Sequence, residues 1–192
     1  MIKAIAFDYA GVISPGPMSN WIKTNLDVNG KYFRYYKQGA HKWDLGEMKL
    51  EQIYKVLSKI TQIPQELIWD RFYGRAGLHS EVVEIIKDLK KNYKIILFSN
   101  FFAEILRKLL DKHGIKDLFD EIIISSEHKM KKPNPEFFDL LVKKTGIDKN
   151  EILFIDDTKQ HVDAANELGI KSILFKNTKQ LKTDLKNLGI TV

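Results

Sequence analysis

Cysteine is absent from all 192 positions, and with it go disulfides, thiol catalysis and cysteine-held zinc. No apolar stretch approaches the ~20 residues that a membrane-spanning helix needs. The first strand-like run begins at Ile2, which leaves no room ahead of it for a signal peptide. These absences set the expectation of a cytoplasmic protein with no membrane partner, since a chain without cysteine suits a reducing compartment. No pair among the 5 histidines has metal-ligand spacing, and neither a Walker loop nor a nucleophile elbow occurs. Repeats and low-complexity segments are missing too. So is a basic stripe: 31 Lys and Arg against 25 Asp and Glu give a net charge of +6, but the lysines are spread over many helical faces. No nucleic-acid motif accompanies them, so no nucleic-acid partner is expected. A mild positive field of this kind assists the approach of an anionic small molecule.

What remains is an ordinary globular composition, 44% hydrophobic and 29% charged. The length suits one domain, or a core with one inserted module. The strand-like run Ile2–Phe7 leads into Asp8 and a turn rich in breakers from Gly11 to Pro17. From there to Gly77 apolar residues recur every three or four positions, over Ser19–Leu26, Lys31–Gln38, Lys49–Ile60 and Pro64–Tyr73. That spacing predicts a small helical bundle. After His79 helix and strand alternate. Helices are predicted at Ser80–Leu89, with Ser80 as the cap, and at Phe102–His113, Pro135–Thr145 and Gln160–Leu168. Strands are predicted at Lys94–Phe98, Glu121–Ser125, Glu151–Ile155 and Lys171–Phe175. Gly114, Gly146 and Gly169 stand just past helix ends, where glycine caps cheaply. The alternation implies an α/β fold, a Rossmann-like three-layer parallel sheet. Its core is expected from residues 1–14 and 78–192, with an all-helical cap over 15–77 inserted after the first strand.

Four segments set reactive side chains at strand ends, and in an open parallel sheet those ends share one ligand-binding edge. Asp8 follows Phe7 and precedes Tyr9-Ala10-Gly11, so a carboxylate and backbone amides can face one anionic group. Ser99-Asn100 follow Ile95–Phe98 and offer a hydroxyl and a helix-start amide, both good phosphate donors. Lys132 lies in Lys131-Lys132-Pro133-Asn134-Pro135, ahead of a helix. Asp156-Asp157 follow Ile152–Ile155; adjacent like charges make most sense beside a cation, and hard oxygen ligands suit Mg²⁺. Each segment alone has a plainer reading, as a turn, a helix cap or a solvated loop. His161, four residues after Asp157, can turn toward the same edge.

In this order the segments resemble the haloacid dehalogenase superfamily of hydrolases across essentially the whole chain. Lys132-Pro133-Asn134-Pro135-Glu136-Phe137-Phe138, and Asp156-Asp157-Thr158 followed by Ala164-Ala165-Asn166-Glu167-Leu168-Gly169-Ile170, are similar to the branch with a helical cap after the first motif. Within that branch the likeness is to phosphatases of the glucose-1-phosphate phosphatase type. The resemblance implies that Asp8 is the nucleophile and forms an aspartyl-phosphate that water hydrolyses. It implies Mg²⁺ on Asp8, the Ala10 backbone carbonyl and Asp157, with Asp156 in support. Ser99, Asn100 and Lys132 then hold the phosphoryl oxygens of a small phosphorylated substrate.

Two positions depart from the family pattern. Ala10 stands where family phosphatases commonly carry a second Asp, the acid–base, whose loss typically costs about 10²–10⁴ in rate. His161 stands where another acid is frequent. A phosphonoacetaldehyde hydrolase-like reaction, with Lys23, Lys31, Lys37, Lys42, Lys49, Lys55 or Lys59 as a Schiff base, is a second reading. A dehalogenase-like reaction belongs with it, although such an enzyme needs no metal and so has no use for the acidic pair. A non-catalytic protein that binds a phosphometabolite or a partner is a third. Specificity is expected in the insert, from Tyr35, Tyr36, His41, Lys42 and Trp43, unless the aromatics simply fill the bundle core.

Overall fold

The computed structural model describes residues 1–16 and 31–191. Its centre is a five-stranded parallel sheet of β1 (Ala4–Phe7), β2 (Lys94–Ser99), β3 (Glu121–Ile124), β4 (Ile152–Asp156) and β5 (Lys171–Leu174). The strand order is β3-β2-β1-β4-β5. β1 and β4 are buried at every position, and such unbroken apolar runs are what a parallel sheet covered on both faces requires.

Alternate residues of each strand join different cores. Ile5, Phe7, Ile95, Leu97, Leu153 and Ile155 meet α3 (Ser80–Leu89), α4 (Ala103–His113) and α8 (Thr178–Asn187) on one face. Ala4, Ala6, Ile96, Phe98 and Phe154 meet α6 (Pro135–Thr145) and α7 (Lys159–Glu167) on the other. The two alanines leave room there for an aromatic cluster in which Phe98 lies 4.4 Å from Phe137 and 5.7 Å from Phe154. A single helical turn, α5 (Ser125–His128), follows β3 directly.

Register aligns the strand ends. Phe7 pairs with Leu97 on one side and Ile155 on the other, so Asp8 stands level with Phe98 and Asp156. The chain runs outward from β1 to β2 and β3, then returns to β4 and β5 on the opposite side. The gap between β1 and β4 is therefore the topological switch point, where open α/β sheets bind their ligands.

Between residues 15 and 77 the described residues form α1 (Lys31–Asp44), α2 (Leu50–Thr61) and short turns at Gln65–Leu67 and Trp69–Tyr73, with no strand. Trp43, Ile53, Leu57, Ile68 and Phe72 merge into the same hydrophobic cluster as α3 and α4. Both ends of this segment are pinned beside Asp8. Ser14 Oγ donates to the Gly77 carbonyl at 2.9 Å, and the His79 amide donates to the Ile13 carbonyl at 2.9 Å.

Several expectations need correction. α1 continues past Gln38 to Asp44, because Gly39 is buried where α1 meets α2: a Cβ there would lie 3.3 Å from the Trp43 ring and 3.5 Å from Val56. Glycine thus serves close approach, which outweighs its poor helix propensity of about 1 kcal/mol. The stretch Pro64–Tyr73 is not one helix but two turns that join at Ile68. Ser80 is the first helical residue and does not cap; the cap position is His79, whose Nδ1 donates to the Val12 carbonyl at 2.8 Å. α8 was not anticipated, although Asn177 caps it by accepting from the Gln180 amide at 2.9 Å. The helix expected over Ser19–Leu26 lies outside the described residues. Among the described residues, no helix is long and apolar enough to cross a membrane.

Candidate active site

Asp8 ends β1 and is buried, and the turn after it is tightly bonded. The Ile13 and Ser14 amides both donate to the Tyr9 carbonyl at 2.9 Å, and the Gly11 amide donates to the Ser14 carbonyl at 2.6 Å. Gly11 has φ +97°, and a Cβ there would collide with the Asp157 carboxylate. Only glycine satisfies both conditions, the left-handed backbone and the close approach of the second acid.

Lys132 reaches the same point from the loop after α5. Its side chain is fully buried, and its ammonium has three acceptors: Asp156 Oδ2 at 2.6 Å, the Phe98 carbonyl at 2.9 Å and Asp8 Oδ1 at 3.0 Å. An ammonium has three protons, so Lys132 first neutralises two buried carboxylates, and a phosphoryl oxygen would share it with them. Asn100 sets the lysine in place. Its Oδ1 accepts from the Lys132 amide at 2.8 Å and its Nδ2 donates to the Lys132 carbonyl at 2.9 Å. Both polar atoms of that side chain are therefore committed to backbone rather than aimed at a ligand.

Asp156 and Asp157 differ sharply. Asp156 is buried, and besides Lys132 it accepts from the Thr158 amide at 2.8 Å and from His161 Nδ1 at 3.1 Å. Asp157 is exposed and borders the Gly11 turn. One oxygen from each of Asp8, Asp156 and Asp157 can lie within 4.8 Å of the others. His161 thus joins the site as a partner of Asp156.

The electrostatics carry an excess of negative charge. Burial pushes the Asp8 carboxyl up to about 6, with Lys132 opposing and Asp156 adding to the rise. Burial and then Asp156 raise Asp157 as well. For Asp156 burial is outweighed by Lys132 and His161, which hold it well below the usual carboxylate range. For Lys132 burial works against the charge, but Asp156 and Asp8 hold the ammonium above its ordinary range. Among the described residues, three carboxylates face one lysine and one histidine. A hard divalent cation fits this donor set, because the two acids least served by protein donors, Asp8 and Asp157, flank the Gly11 turn. Ser99 Oγ is fully buried and makes no hydrogen bond of ordinary geometry, although it lies close enough to Asp8 to ease that carboxyl's ionisation. A buried hydroxyl in that condition suits a ligand oxygen.

A cavity of about 160 Å³ opens beside this cluster, lined by Ala10, Tyr36, Trp43, Asp44, Tyr73 and Asn100 among others. Tyr36 and Trp43, two of the insert residues singled out from the sequence, line it; Trp43 also belongs to the hydrophobic core, so it does both jobs. Tyr35, His41 and Lys42 are exposed instead. Asp44 was missed. Its signal was an acid in the last turn of a helix, the end where the macrodipole favours cations, but the helix was expected to stop six residues earlier.

The model of the haloacid dehalogenase-like hydrolase family matches residues 2–169. A D-ribitol-5-phosphate phosphatase of Bacteroides thetaiotaomicron is 24% identical over 202 residues, spanning 96% of this chain and 97% of its own length. The crystal structure of a haloacid dehalogenase family enzyme from the same bacterium superimposes with a TM-score of 0.79 at 22% identity, over 96% of this chain and 98% of that one. Its complex with magnesium and inorganic phosphate superimposes with a TM-score of 0.71 at 22% identity, over 92% and 95%. The structural likeness is one of fold. With the family model covering all four strand-end segments, the chain belongs to the haloacid dehalogenase-like hydrolases.

Proposed function

We propose that this hydrolase is a magnesium-dependent phosphatase acting on small phosphate esters through an aspartyl-phosphate on Asp8. The observation that carries the reading is the buried Asp8–Lys132–Asp156 array with the open Asp157 beside it. In it Asp8 is held as an anion at a strand end, pointing at the switch-point gap. A nucleophilic carboxylate needs such a setting, fixed and only partly neutralised. The core is assigned to residues 1–14 and 78–192 and the cap to 15–77, with the protein in the cytoplasm.

In the first half-reaction an Asp8 oxygen attacks phosphorus and the ester oxygen leaves. Ser99 Oγ donates to a phosphoryl oxygen, and Lys132 offsets the negative charge that gathers around Asp8. In the second half-reaction water attacks phosphorus, the bond to Asp8 breaks and inorganic phosphate departs. Asp8, Asp157 and the Ala10 carbonyl would hold Mg²⁺, with Asp156 in support through Lys132 and His161. Bound there, the cation would offset the charge of the phosphoryl group. The similarity to an enzyme crystallised with magnesium and inorganic phosphate supports this assignment.

The substrate class is a small hydroxylated phosphate ester, such as a sugar or polyol phosphate. The cavity of about 160 Å³ is below the ~300–1,000 Å³ of pockets for larger ligands. Its aromatic lining offers rings for a carbon skeleton and hydroxyls for its oxygens. The resemblance to a ribitol-5-phosphate phosphatase points the same way. The Schiff-base alternative is less well supported: among the described residues no lysine lines the cavity, and Lys42, Lys49, Lys55 and Lys59 are exposed; Lys23 and the side chains of Lys31 and Lys37 lie outside what is described. Phosphate release from a panel of sugar and polyol phosphates, with and without Mg²⁺, tests the proposal. Mg²⁺-dependent release that disappears in Asp8→Asn supports it; no release from any phosphate ester refutes it.

A further inference from the structure

Ala10 leaves the proposed reaction without a proton donor for the leaving group, and nothing on β1 replaces it. Among the described residues, the acid in the cavity lining comes from the other side. Asp44 is the last residue of α1 and lines the same cavity as Ala10 and Asn100. Its side chain is 20% exposed, with Lys131 Nζ 3.6 Å from Oδ2, a separation longer than a hydrogen bond. The carboxyl is thus sheltered and paired only loosely.

Its position is set by the way α1 ends. The Gly46 amide donates to the Trp43 carbonyl at 3.0 Å and the Glu47 amide to the Lys42 carbonyl at 2.9 Å. Gly46 has φ +68°, and a Cβ there would collide with the Ser126 carbonyl. The end of α1 therefore rests directly on α5, beside the loop that carries Lys131 and Lys132. Asp44 also lies within the field of the catalytic cluster, since both Asp8 and Lys132 act on its ionisation.

We propose that Asp44 is the catalytic acid–base of this site, delivered from the insert in place of the acid that Ala10 lacks. The proposal rests on the phosphatase reading above. In the first half-reaction the Asp8 oxygen bonds to phosphorus as the bond from phosphorus to the ester oxygen breaks. The Asp44 proton passes to that oxygen, giving a neutral alcohol and an Asp44 carboxylate. In the second half-reaction the carboxylate takes a proton from the attacking water. The bond from phosphorus to Asp8 breaks, and inorganic phosphate leaves with both aspartates restored. Burial pushes the Asp44 carboxyl up to about 6, with Lys131 and Lys132 opposing and Asp8 adding to the rise, so both protonation states are accessible near neutral pH. That is where acid–base groups work best. Tyr73 also lines the cavity, but burial holds its phenol protonated and rules it out as a base.

The test compares leaving groups in the full-length enzyme with Mg²⁺ present. For Asp44→Asn, kcat/KM on ribitol 5-phosphate, an alkyl ester, should fall by about 10²–10⁴. On p-nitrophenyl phosphate, whose leaving group needs no proton, kcat/KM should change less than about threefold while kcat falls. A burst of nitrophenolate equal to the enzyme concentration should then precede slow turnover, because the water-activating base is lost. Asp44→Glu, which keeps the acid, should retain most alkyl turnover, and Ala10→Asp in the Asp44→Asn background should restore at least about tenfold. Equal losses of kcat/KM on both esters, or no loss on either, overturn the role of Asp44. A misfolded Asp44→Asn is recognised by its circular dichroism, and Asp44→Ser, compared on the same two esters, then decides. If the wild-type enzyme cleaves neither ester, or Asp8→Asn cleaves both at the wild-type rate, the phosphatase reading itself fails.

Discussion

At the sheet edge Asp8, Lys132 and Asp156 are buried and joined by contacts of 2.6–3.0 Å, whereas in the insert Asp44 and Tyr36 border a cavity, and the ion pair of Asp44 is 3.6 Å long. The first region is positioned by strand register and by a lysine whose protons are all engaged. The second is positioned by helix ends and glycine contacts, at Gly39 against α2 and Gly46 against α5. Under the proposals above, the contrast would be a division of labour: covalent chemistry on the rigid sheet, proton transfer and substrate choice on the insert. Substitutions at the two regions should therefore fail in different ways.

The largest effect is expected from Asp8→Asn, which removes the proposed nucleophile and should leave phosphate release at background under steady-state assay. Lys132→Met comes next. It strands Asp8 and Asp156 in the interior, and breaking a buried ion pair costs about 3–5 kcal/mol, so both stability in urea and turnover should drop. Asp156→Ala should be milder in stability than Lys132→Met, since Lys132 keeps Asp8 at 3.0 Å as its counter-charge.

Gly11→Ala tests the join between β1 and β4. The added methyl meets Asp157 and the backbone has φ +97°, a conformation that costs a non-glycine residue about 1–2 kcal/mol. Mg²⁺ affinity and kcat should fall together while the fold survives, as isothermal titration and circular dichroism will report. Trp43→Ala, by contrast, should act on the insert. KM for a polyol phosphate should rise by about tenfold while kcat/KM on acetyl phosphate, which reaches no further than the sheet edge, changes little. A uniform loss on both substrates would erase the division between the two regions.

A separate effect concerns pH. Folding raises the Asp8 carboxyl from 3.8 to about 6, so the folded protein holds that proton more tightly than the unfolded chain. The group is no burden below pH 3.8, and stability declines as pH climbs through 6. Without divalent cations, wild-type protein should lose on the order of 2 kcal/mol relative to Asp8→Asn between pH 4 and 7. Mg²⁺ should reduce that difference, because binding to the folded state alone stabilises it.

The sheet was legible because β1 to β4 each carry a run of at least three consecutive apolar residues, and the edge because a reactive residue follows each of β1, β2 and β4. The insert was less legible. Gly39 reads as a helix breaker and is in fact a packing contact, so α1 was cut short and Asp44 lost its setting. α8 escaped because Leu181 and Leu185 are the only buried residues in a polar stretch. The partners of Lys132 and Asn100 were also invisible: their contacts join residues 24 to 34 positions apart, and to Asp8 farther still, which no local pattern encodes. Ala10 alone implied a loss of rate; the role proposed for Asp44, in the same cavity, would offset it.

The central claim, a covalent phosphatase centred on Asp8, is tested most directly by trapping the intermediate. Enzyme mixed with acetyl phosphate and Mg²⁺, quenched in acid and digested, should yield one phosphorylated peptide, the one containing Asp8. The Asp8→Asn protein should yield none. A phosphoryl group on another peptide, or steady turnover with no trapped species alongside an active Asp8→Asn variant, would contradict it.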